Sequence, residues 1–252
     1  MRLEEVERWL DLLYIAARGA GLRREDRRKA VEVEAMLGEI ERALRRQARR
    51  SPIVLVDAAA GKAYLGLLAA RLVLEPLGRP AEVITIEKDP RRVALSRKAL
   101  ERLQTRIEVE CRTADVTDPA AWPERASLVT ALHACGAAAD AIIDRTVTSE
   151  ARMLLLVPCC TSAAVPGANR ALEESEVAGM PLPAPVRRRW IQARVDARRT
   201  WRLEAAGYQV EVVEFVGATV TPHNLLWRAR RVMEPVRMAA AQRALDLSAG
   251  IH

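Results

Sequence analysis

Several features are missing from this 252-residue chain, and each absence excludes a class of protein. No apolar run approaches the roughly 20 residues that a bilayer requires. The four cysteines, two of them adjacent at Cys159 and Cys160, lack the spacing of a disulfide framework. The N-terminal stretch MRLEEVERWLDLLY mixes acids into an amphipathic pattern, unlike a signal peptide or a transit peptide. We therefore expect a cytoplasmic protein with reduced thiols and no membrane partner.

The glycine-rich motifs of the common nucleotide loops are also missing. The stretch VDAAAGKAYLG, Val56 to Gly66, holds a Gly-Lys pair where an apolar run gives way to a helical pattern. A phosphate loop needs glycine five residues before that pair and Ser or Thr after the lysine, but Val56 and Ala63 stand there. A dinucleotide fingerprint needs GxGxxG, and this strand end offers a single glycine. Neither kind of loop is predicted.

Positive charge is present in excess. The chain has 40 Lys plus Arg against 33 Asp plus Glu, a formal net charge of +7 and a pI near 9.7. Such a balance favours a polyanionic partner such as RNA, although charge of this size also serves solubility. RNA is therefore a candidate partner, and the oligomeric state is left open.

Periodicity divides the chain into three parts. Apolar residues at steps of three and four predict two amphipathic helices, which make residues 1–50 an N-terminal helical extension. Residues 51–234 alternate β-rich runs with helical stretches, which predicts an α/β domain whose parallel sheet has helices on both faces. Residues 235–252 are a tail with helical character. The predicted strands of the body are 53–57, 82–87, 107–111, 127–133 and 151–160, followed by a closing pair at 208–216 and 223–232.

The connection after the fifth strand, residues 161–186, contains four prolines and predicts a functional lid or a disordered segment. The next helix, predicted over 187–206, is rich in arginine. Trp190 and Trp201 share one stripe of it, which favours packing on the sheet, and Arg194 and Arg198 share an adjoining face. That arginine face is either solvated surface or a contact for RNA phosphates.

The register of VDAAAGKAYLG resembles the first motif of class I methyltransferases, a hydrophobic strand ending in DxGxGxG. In that register Asp57 is the acid, Gly61 is the central glycine, and the cofactor-binding set includes Ala58 and Ala59. Ala59 and Ala63 replace family glycines, which is tolerable only if both alanines keep negative φ. The alternative is an ordinary turn from strand to helix.

Two further acids follow successive strands. Glu87 ends the second strand, where a carboxylate can accept both ribose hydroxyls of an adenosyl cofactor, and Lys88 would flank the adenine. Asp115 and Val116 follow the third strand, at the spacing used to recognise the adenine edge. Because the carboxyl ends of parallel strands share one edge, where open α/β sheets bind ligands, we expect one S-adenosylmethionine site. Leu132, near the end of the fourth strand, completes the predicted set.

The segments ALHACGAAADAIID and LLLVPCC resemble the class I subgroup that includes the transfer-RNA methyltransferase 13 type and the methyltransferase-25-like proteins. A final TPHN, residues 221–224, strengthens the resemblance. It implies a Rossmann-like class I sheet, S-adenosylmethionine as cofactor and methyl transfer, often to RNA. His133 stands at the tip of strand four, where class I enzymes place their catalytic residue, and is the candidate base. The candidate substrate contacts are Cys159, Cys160, Arg194, Arg198, His223 and Asn224.

Alternatives remain for several of these residues. His133 could instead bond backbone in the strand turn. Cys135, Cys159, Cys160 and His133 match no standard zinc module, so no metal is expected. The absence of a (D/N)PPY tetrapeptide from strand four argues against adenine N6 chemistry. The leading prediction is a methyltransferase acting on RNA; the alternatives are a protein side chain or small molecule as acceptor, or a cofactor-binding module without turnover.

Overall fold

Seven strands form one sheet in the order β3-β2-β1-β4-β5-β7-β6 in the computed structural model, which describes residues 3–15, 21–47, 51–160, 165–181 and 183–250. The pairs β1/β2, β1/β4, β2/β3 and β4/β5 are parallel, whereas β7 is antiparallel to β5 and β6. The strands are β1 (Ile53–Ala58), β2 (Ala81–Glu87), β3 (Glu108–Thr113), β4 (Leu128–Cys135), β5 (Met153–Cys160), β6 (Tyr208–Glu214) and β7 (Leu225–Arg231).

Strand order reverses between β1 and β4, so their carboxyl ends open a crevice at the sheet edge. Ligands of open α/β sheets bind at such a switch point. Strands β1 and β2 are near-continuous apolar runs because both of their faces are covered, whereas Cys111 is the one buried residue of the edge strand β3. The predicted sheet with helices on both faces is confirmed.

Helices cover the sheet through two hydrophobic cores. One core joins the sheet to the N-terminal helices and to those after β1 and β2, and the other joins it to the helices after β4 and before β6. The helices are α1 (Leu3–Leu10), α2 (Arg24–Arg45), α3 (Tyr64–Ala69), α4 (Glu75–Leu77), α5 (Pro90–Leu103), α6 (Ala138–Thr148), α7 (Ala168–Val177), α8 (Ala184–Ala205) and α9 (Pro235–Gly250), with π-helical turns at Asp11–Ile15 and Ala70–Leu74.

Helix α2 runs across the sheet from its carboxyl edge to its amino edge. Towards its start, Glu32 Oε1 lies 2.7 Å from Nε2 of His133 near the end of β4. Just beyond its end, Gln47 Nε2 donates to the carbonyl of Ser127, directly before β4, at 3.1 Å. Val33, Met36, Leu37 and Ile40 are fully buried between these points. The N-terminal helices therefore share the core of the sheet.

Two features of the region after β5 differ from what the sequence predicts. Helix α7 and the first turn of α8 lie within residues 161–186, so these parts are not disordered, and the functional lid stays a prediction. The tryptophans of α8 do not form its buried stripe: Trp190 and Trp201 are half-buried, and the buried residues are Val195, Arg199 and Leu203. These three repeat at four-residue steps, but a buried arginine among them hides the stripe from a hydrophobicity pattern. Among the described helices, none is long and apolar enough to span a membrane.

Candidate active site

The loop between β1 and α3 turns through three left-handed residues at alternate positions. Ala59 has φ 53°, Gly61 φ 60° and Ala63 φ 55°. The condition set from the sequence, that alanine is tolerable here only with negative φ, is not met at either position. Left-handed backbone costs a non-glycine residue roughly 1–2 kcal/mol, and such strain concentrates at ligand-binding loops. The chain therefore keeps the backbone path of a three-glycine loop without two of its glycines.

Asp57 lies below this loop and is almost completely buried. Its Oδ2 accepts a hydrogen bond of 2.9 Å from the backbone N–H of Gly66. Glycine is needed there because a Cβ would lie 3.0 Å from that same oxygen and 3.0 Å from a methyl carbon of Thr85. Burial raises the pKa of Asp57 to about 7, against the opposing effect of the Gly66 hydrogen bond. A carboxyl group that titrates near neutrality in a crevice is typical of a functional site.

Glu87 fastens the loop from the other side. Its Oε2 accepts from the N–H of Gly61 at 2.8 Å, and its Oε1 accepts from the N–H of Asp89 at 2.9 Å. A carboxylate has about four acceptor positions, so both oxygens keep capacity for the predicted ribose hydroxyls. The structure adds a role that the sequence did not reveal, since the hydrogen bond from Gly61 to Glu87 fixes the loop between β1 and α3, which we call the cofactor loop.

The predicted adenine-side residues follow β2 and β3 along the same edge. The Asp115 carboxylate accepts hydrogen bonds from the N–H and hydroxyl of Thr117, which lower its pKa. Val116 is buried, and its carbonyl accepts from the indole N–H of Trp122 at 2.9 Å. Lys88 is exposed. The N–H of Ala114 donates to the carbonyl of Glu87, which joins the two strand ends.

A cavity of about 290 Å³ opens over the loop, near the lower end of the roughly 300–1,000 Å³ usual for small-molecule sites. Asp57, Ala59, Gly61, Leu132 and His133 line it, whereas Ala58, Glu87, Lys88, Asp115 and Val116 do not. The sequence-based site prediction lacked the three cationic residues that line the cavity, Lys29, Lys62 and Arg92, and it also lacked Ala60, Tyr64 and Leu65. Of these residues, only Lys62 could have been predicted from the sequence, because it directly follows Gly61 of the predicted loop.

His133 is held in an unusual conformation at the wall of the cavity. Its φ is 62°, and the pairing of β4 with β5 is irregular between Leu132 and Ala134. Strained backbone of this kind is typical of active sites. The bulge turns the imidazole towards α2, where Nε2 lies 2.7 Å from Oε1 of Glu32.

Glu32 is the most informative residue that the sequence reading missed. It is 6% exposed, and Lys29 Nζ lies 3.4 Å from its other oxygen. Burial by itself would raise its pKa, but the hydrogen bond with His133 and the charge of Lys29 bring that pKa below its ordinary value. The carboxylate is therefore ionised and can only accept, so Nε2 of His133 carries the proton. The sequence does contain one indication of this role, because Glu32 directly precedes Val33, which belongs to the apolar stripe of α2.

The cysteines lie at the same edge. The Sγ atoms of Cys135 and Cys159 lie 3.4 Å and 3.6 Å from the carbonyl oxygen of His133. Cys160 pairs with Cys135 in the register of β4 and β5, and its side chain lies outside the described residues. Among the residues whose placement is described, no group of three or more His, Cys, Asp or Glu is arranged to hold a metal ion.

Three arginines of α8 form ion pairs within the protein. Arg194 Nε donates to Glu174 of α7 at 2.6 Å. Arg199, 1% exposed, pairs with Asp140 of α6 at 2.8 Å, and Arg202 reaches the other oxygen of Asp140 at 2.6 Å. Arg198 lines a separate cavity with Asp140 and Gly167. A phosphate footprint on Arg194 and Arg198 therefore stays a prediction, and Arg194 would have to exchange a partner to serve in it.

His223 and Asn224 lie in the connection from β6 to β7, at the carboxyl edge of the parallel strands. His223 is exposed, whereas Asn224 is buried and donates through its side-chain amide to the carbonyl of Val216 at 3.0 Å. Asn224 thus holds the turn, and only His223 of this pair presents a free face to a substrate.

The fold is an open α/β sheet whose strand order reverses between β1 and β4, and a cavity of small-molecule size lies at that reversal. These features are typical of a cofactor-binding α/β enzyme. The sequence matches the model of the methyltransferase domain family over residues 28–164, more than half of the chain. The chain belongs to this family, and the predicted enzyme class is confirmed. Comparison with curated protein sequences gives no match.

Solved structures support the same fold. The magnesium protoporphyrin IX methyltransferase of Synechocystis PCC 6803 with bound S-adenosylhomocysteine is 14% identical, with a TM-score of 0.52 over 90% of this chain and 94% of that one. A Podospora anserina methyltransferase, also bound to S-adenosylhomocysteine, is 12% identical, with a TM-score of 0.50 over 91% and 87%. The CurJ carbon methyltransferase is 12% identical, with a TM-score of 0.52, and this chain covers 55% of it. The predicted Rossmann-like class I fold is confirmed.

Proposed function

We propose that this protein transfers a methyl group from S-adenosylmethionine to RNA, with His133 as the base. The observation that carries the proposal is the geometry of His133, which lines the cavity over the loop and is oriented by an ionised carboxylate 2.7 Å away. Methyl transfer needs an aligned acceptor and, for a weakly nucleophilic hydroxyl or amide, a group that removes its proton.

The residues present fit S-adenosylmethionine. Backbone with positive φ at 59, 61 and 63 opens the loop towards the cavity, Asp57 suits a cationic ligand, and Lys29, Lys62 and Arg92 suit a carboxylate. Glu87, Lys88, Asp115 and Val116 extend the site along the sheet edge for the ribose and adenine. When bound, the cofactor would supply a methyl group activated by a sulfonium.

The proton path follows from the tautomer. When the imidazole is neutral and its Nε2–H donates to Glu32, Nδ1 bears the lone pair that can accept a proton from the methyl acceptor. The acceptor proton would move to Nδ1, and Glu32 would stabilise the resulting imidazolium. Glu32 is therefore a positioning residue that acts through His133, and its own support comes from Lys29 at 3.4 Å.

The test uses tritium-labelled S-adenosylmethionine with total cellular RNA as acceptor. His133→Asn keeps a residue that tolerates left-handed backbone and should reduce turnover by roughly 100- to 10,000-fold, the usual value of a general base. Glu32→Gln should also reduce it, because its amide can donate to Nε2 and favour the wrong tautomer, and Glu32→Asp should restore part of the loss. Glu34→Gln, on the same helix and without an ion pair among the described residues, is the matched control.

Cofactor affinity, measured by calorimetry, should be unchanged in all four variants. Full turnover by His133→Asn would refute the catalytic role of this histidine. Radioactivity in protein or in small molecules, with none in RNA, would favour the alternative acceptors. Cofactor binding without transfer to any fraction would favour a module without turnover. The resemblance to the transfer-RNA methyltransferase 13 type and the cytoplasmic location stay predictions.

A further inference from the structure

A second concave surface lies on the same side of the sheet as α2 but away from the cofactor cavity. It encloses about 820 Å³ between the C-terminal half of α2 and strands β5, β6 and β7. We call it the arginine groove. Six arginines line it against two glutamates; the arginines are Arg42, Arg46, Arg152, Arg228, Arg230 and Arg231.

Internal pairing accounts for both acids of the groove. Arg228 lies between them, 2.8 Å from Glu39 and 3.1 Å from Glu211, and Arg42 also contacts Glu39 at 2.5 Å. Arg231 pairs with Glu150. Three arginines are left over: within the described part of the chain, Arg46, Arg152 and Arg230 form no ion pair, and Arg230 contacts only the neutral amide oxygen of Gln209.

The shape of the groove suits a flexible polyanion. Its floor is apolar, formed by Ala43, Met153 and Leu155, and the unpaired arginines stand exposed around it. Grooves that bind single-stranded nucleic acid follow the backbone with positive charge. None of the described residues that line this groove is aromatic, so binding would depend on phosphate contacts and would tolerate many RNA sequences.

Helix α2 connects the groove to the active site. Glu32 contacts His133, Glu39 lies about 10 Å further along the helix, and Arg46 about 20 Å further, at 1.5 Å rise per residue. A single-stranded RNA that occupies the groove would therefore approach the carboxyl edge of the sheet along the same helix. The distance from the groove to His133 corresponds to a few nucleotides.

We propose that the arginine groove binds the phosphodiester backbone of single-stranded RNA and delivers it to the cavity beside His133. The proposal rests on the proposed RNA acceptor and names a surface for it. Arg46, Arg152 and Arg230 make the phosphate contacts, and the paired Arg228 holds the walls of the groove together.

The experiment measures the fluorescence anisotropy of a short labelled single-stranded RNA over a range of salt concentrations. The groove triple variant Arg46→Gln/Arg152→Gln/Arg230→Gln removes three charges. The matched control, Arg24→Gln/Arg125→Gln/Arg243→Gln, removes three exposed charges elsewhere. Each lost phosphate contact reduces the slope of log affinity against log salt by about 0.7. The groove triple should therefore lose about 2 in slope and about 100-fold in affinity at about 0.1 M salt.

Equal effects of the two triples would overturn the groove proposal even if the RNA is methylated. Displacement of the RNA by polyglutamate at equal charge would assign the groove to acidic proteins and overturn it too. Cofactor calorimetry and the His133→Asn assay test the methyl transfer separately, because both leave the arginines of the groove unchanged. Loss of affinity in the groove triple alone, with unchanged melting temperature and cofactor binding, supports the proposal.

Discussion

Two buried aspartates show how differently this molecule treats charge in its structural and functional parts. Asp140, between α6 and α8, pairs with Arg199 and Arg202 at 2.8 Å and 2.6 Å. Asp57, at the cofactor loop, is equally buried but forms no ion pair among the described residues, and burial raises its pKa to about 7. The structural acid is neutralised within the protein, whereas the acid of the site is left available for a cationic ligand.

The largest expected effect concerns the structural pair. Arg199→Met keeps most of the volume but leaves Asp140 with only one arginine, which should lower the free energy of unfolding by up to about 5 kcal/mol. Urea denaturation measures it. Arg243→Met, on the exposed face of α9, should stay within about 0.5 kcal/mol. If the two variants were equally stable, Arg199 would not be the partner that makes the buried Asp140 tolerable.

A slightly smaller effect concerns Asp57. Between its ordinary pKa of 3.8 and its folded pKa of about 7, the unfolded chain has lost this proton while the folded protein keeps it. The free energy of unfolding should therefore fall as pH rises through that window, by about 4 kcal/mol in total. Asp57→Asn should lack this component. Urea denaturation at several pH values compares the two proteins, and parallel profiles would contradict a raised pKa.

The smallest effect concerns the strained alanines above Asp57. Ala59→Gly relieves left-handed strain but frees the unfolded chain, so we expect a gain of about 1 kcal/mol. Ala63 has the same φ but is 1% exposed, so Ala63→Gly also loses a buried methyl group worth about 0.8 kcal/mol and should be nearly neutral. Thermal denaturation distinguishes them. A loss of stability in Ala59→Gly would show that the loop is not strained there.

The sequence was sufficient to predict the sheet, because short β-rich runs alternate with helical stretches along the chain. Asp57, Glu87 and Asp115 do lie at or just beyond the carboxyl ends of β1, β2 and β3. It was not sufficient for the backbone of the loop: alanine predicts negative φ, but the fixed path between β1 and α3 imposes positive φ. Nor could it find Glu32, which meets His133 across 101 residues of chain.

Local periodicity determined the alternation of strands and helices, and short motifs carried the resemblance to the methyltransferase family and indicated the edge of the sheet that holds the site, since both are short-range patterns. The pairing of charges depended on tertiary structure. Arginines that look alike in the sequence differ in this respect: Arg199 of α8 pairs with Asp140, whereas Arg230 of the arginine groove forms no ion pair among the described residues. The reason is physical: burial brings a partner to some charges and not to others, and that partner belongs to a distant part of the chain.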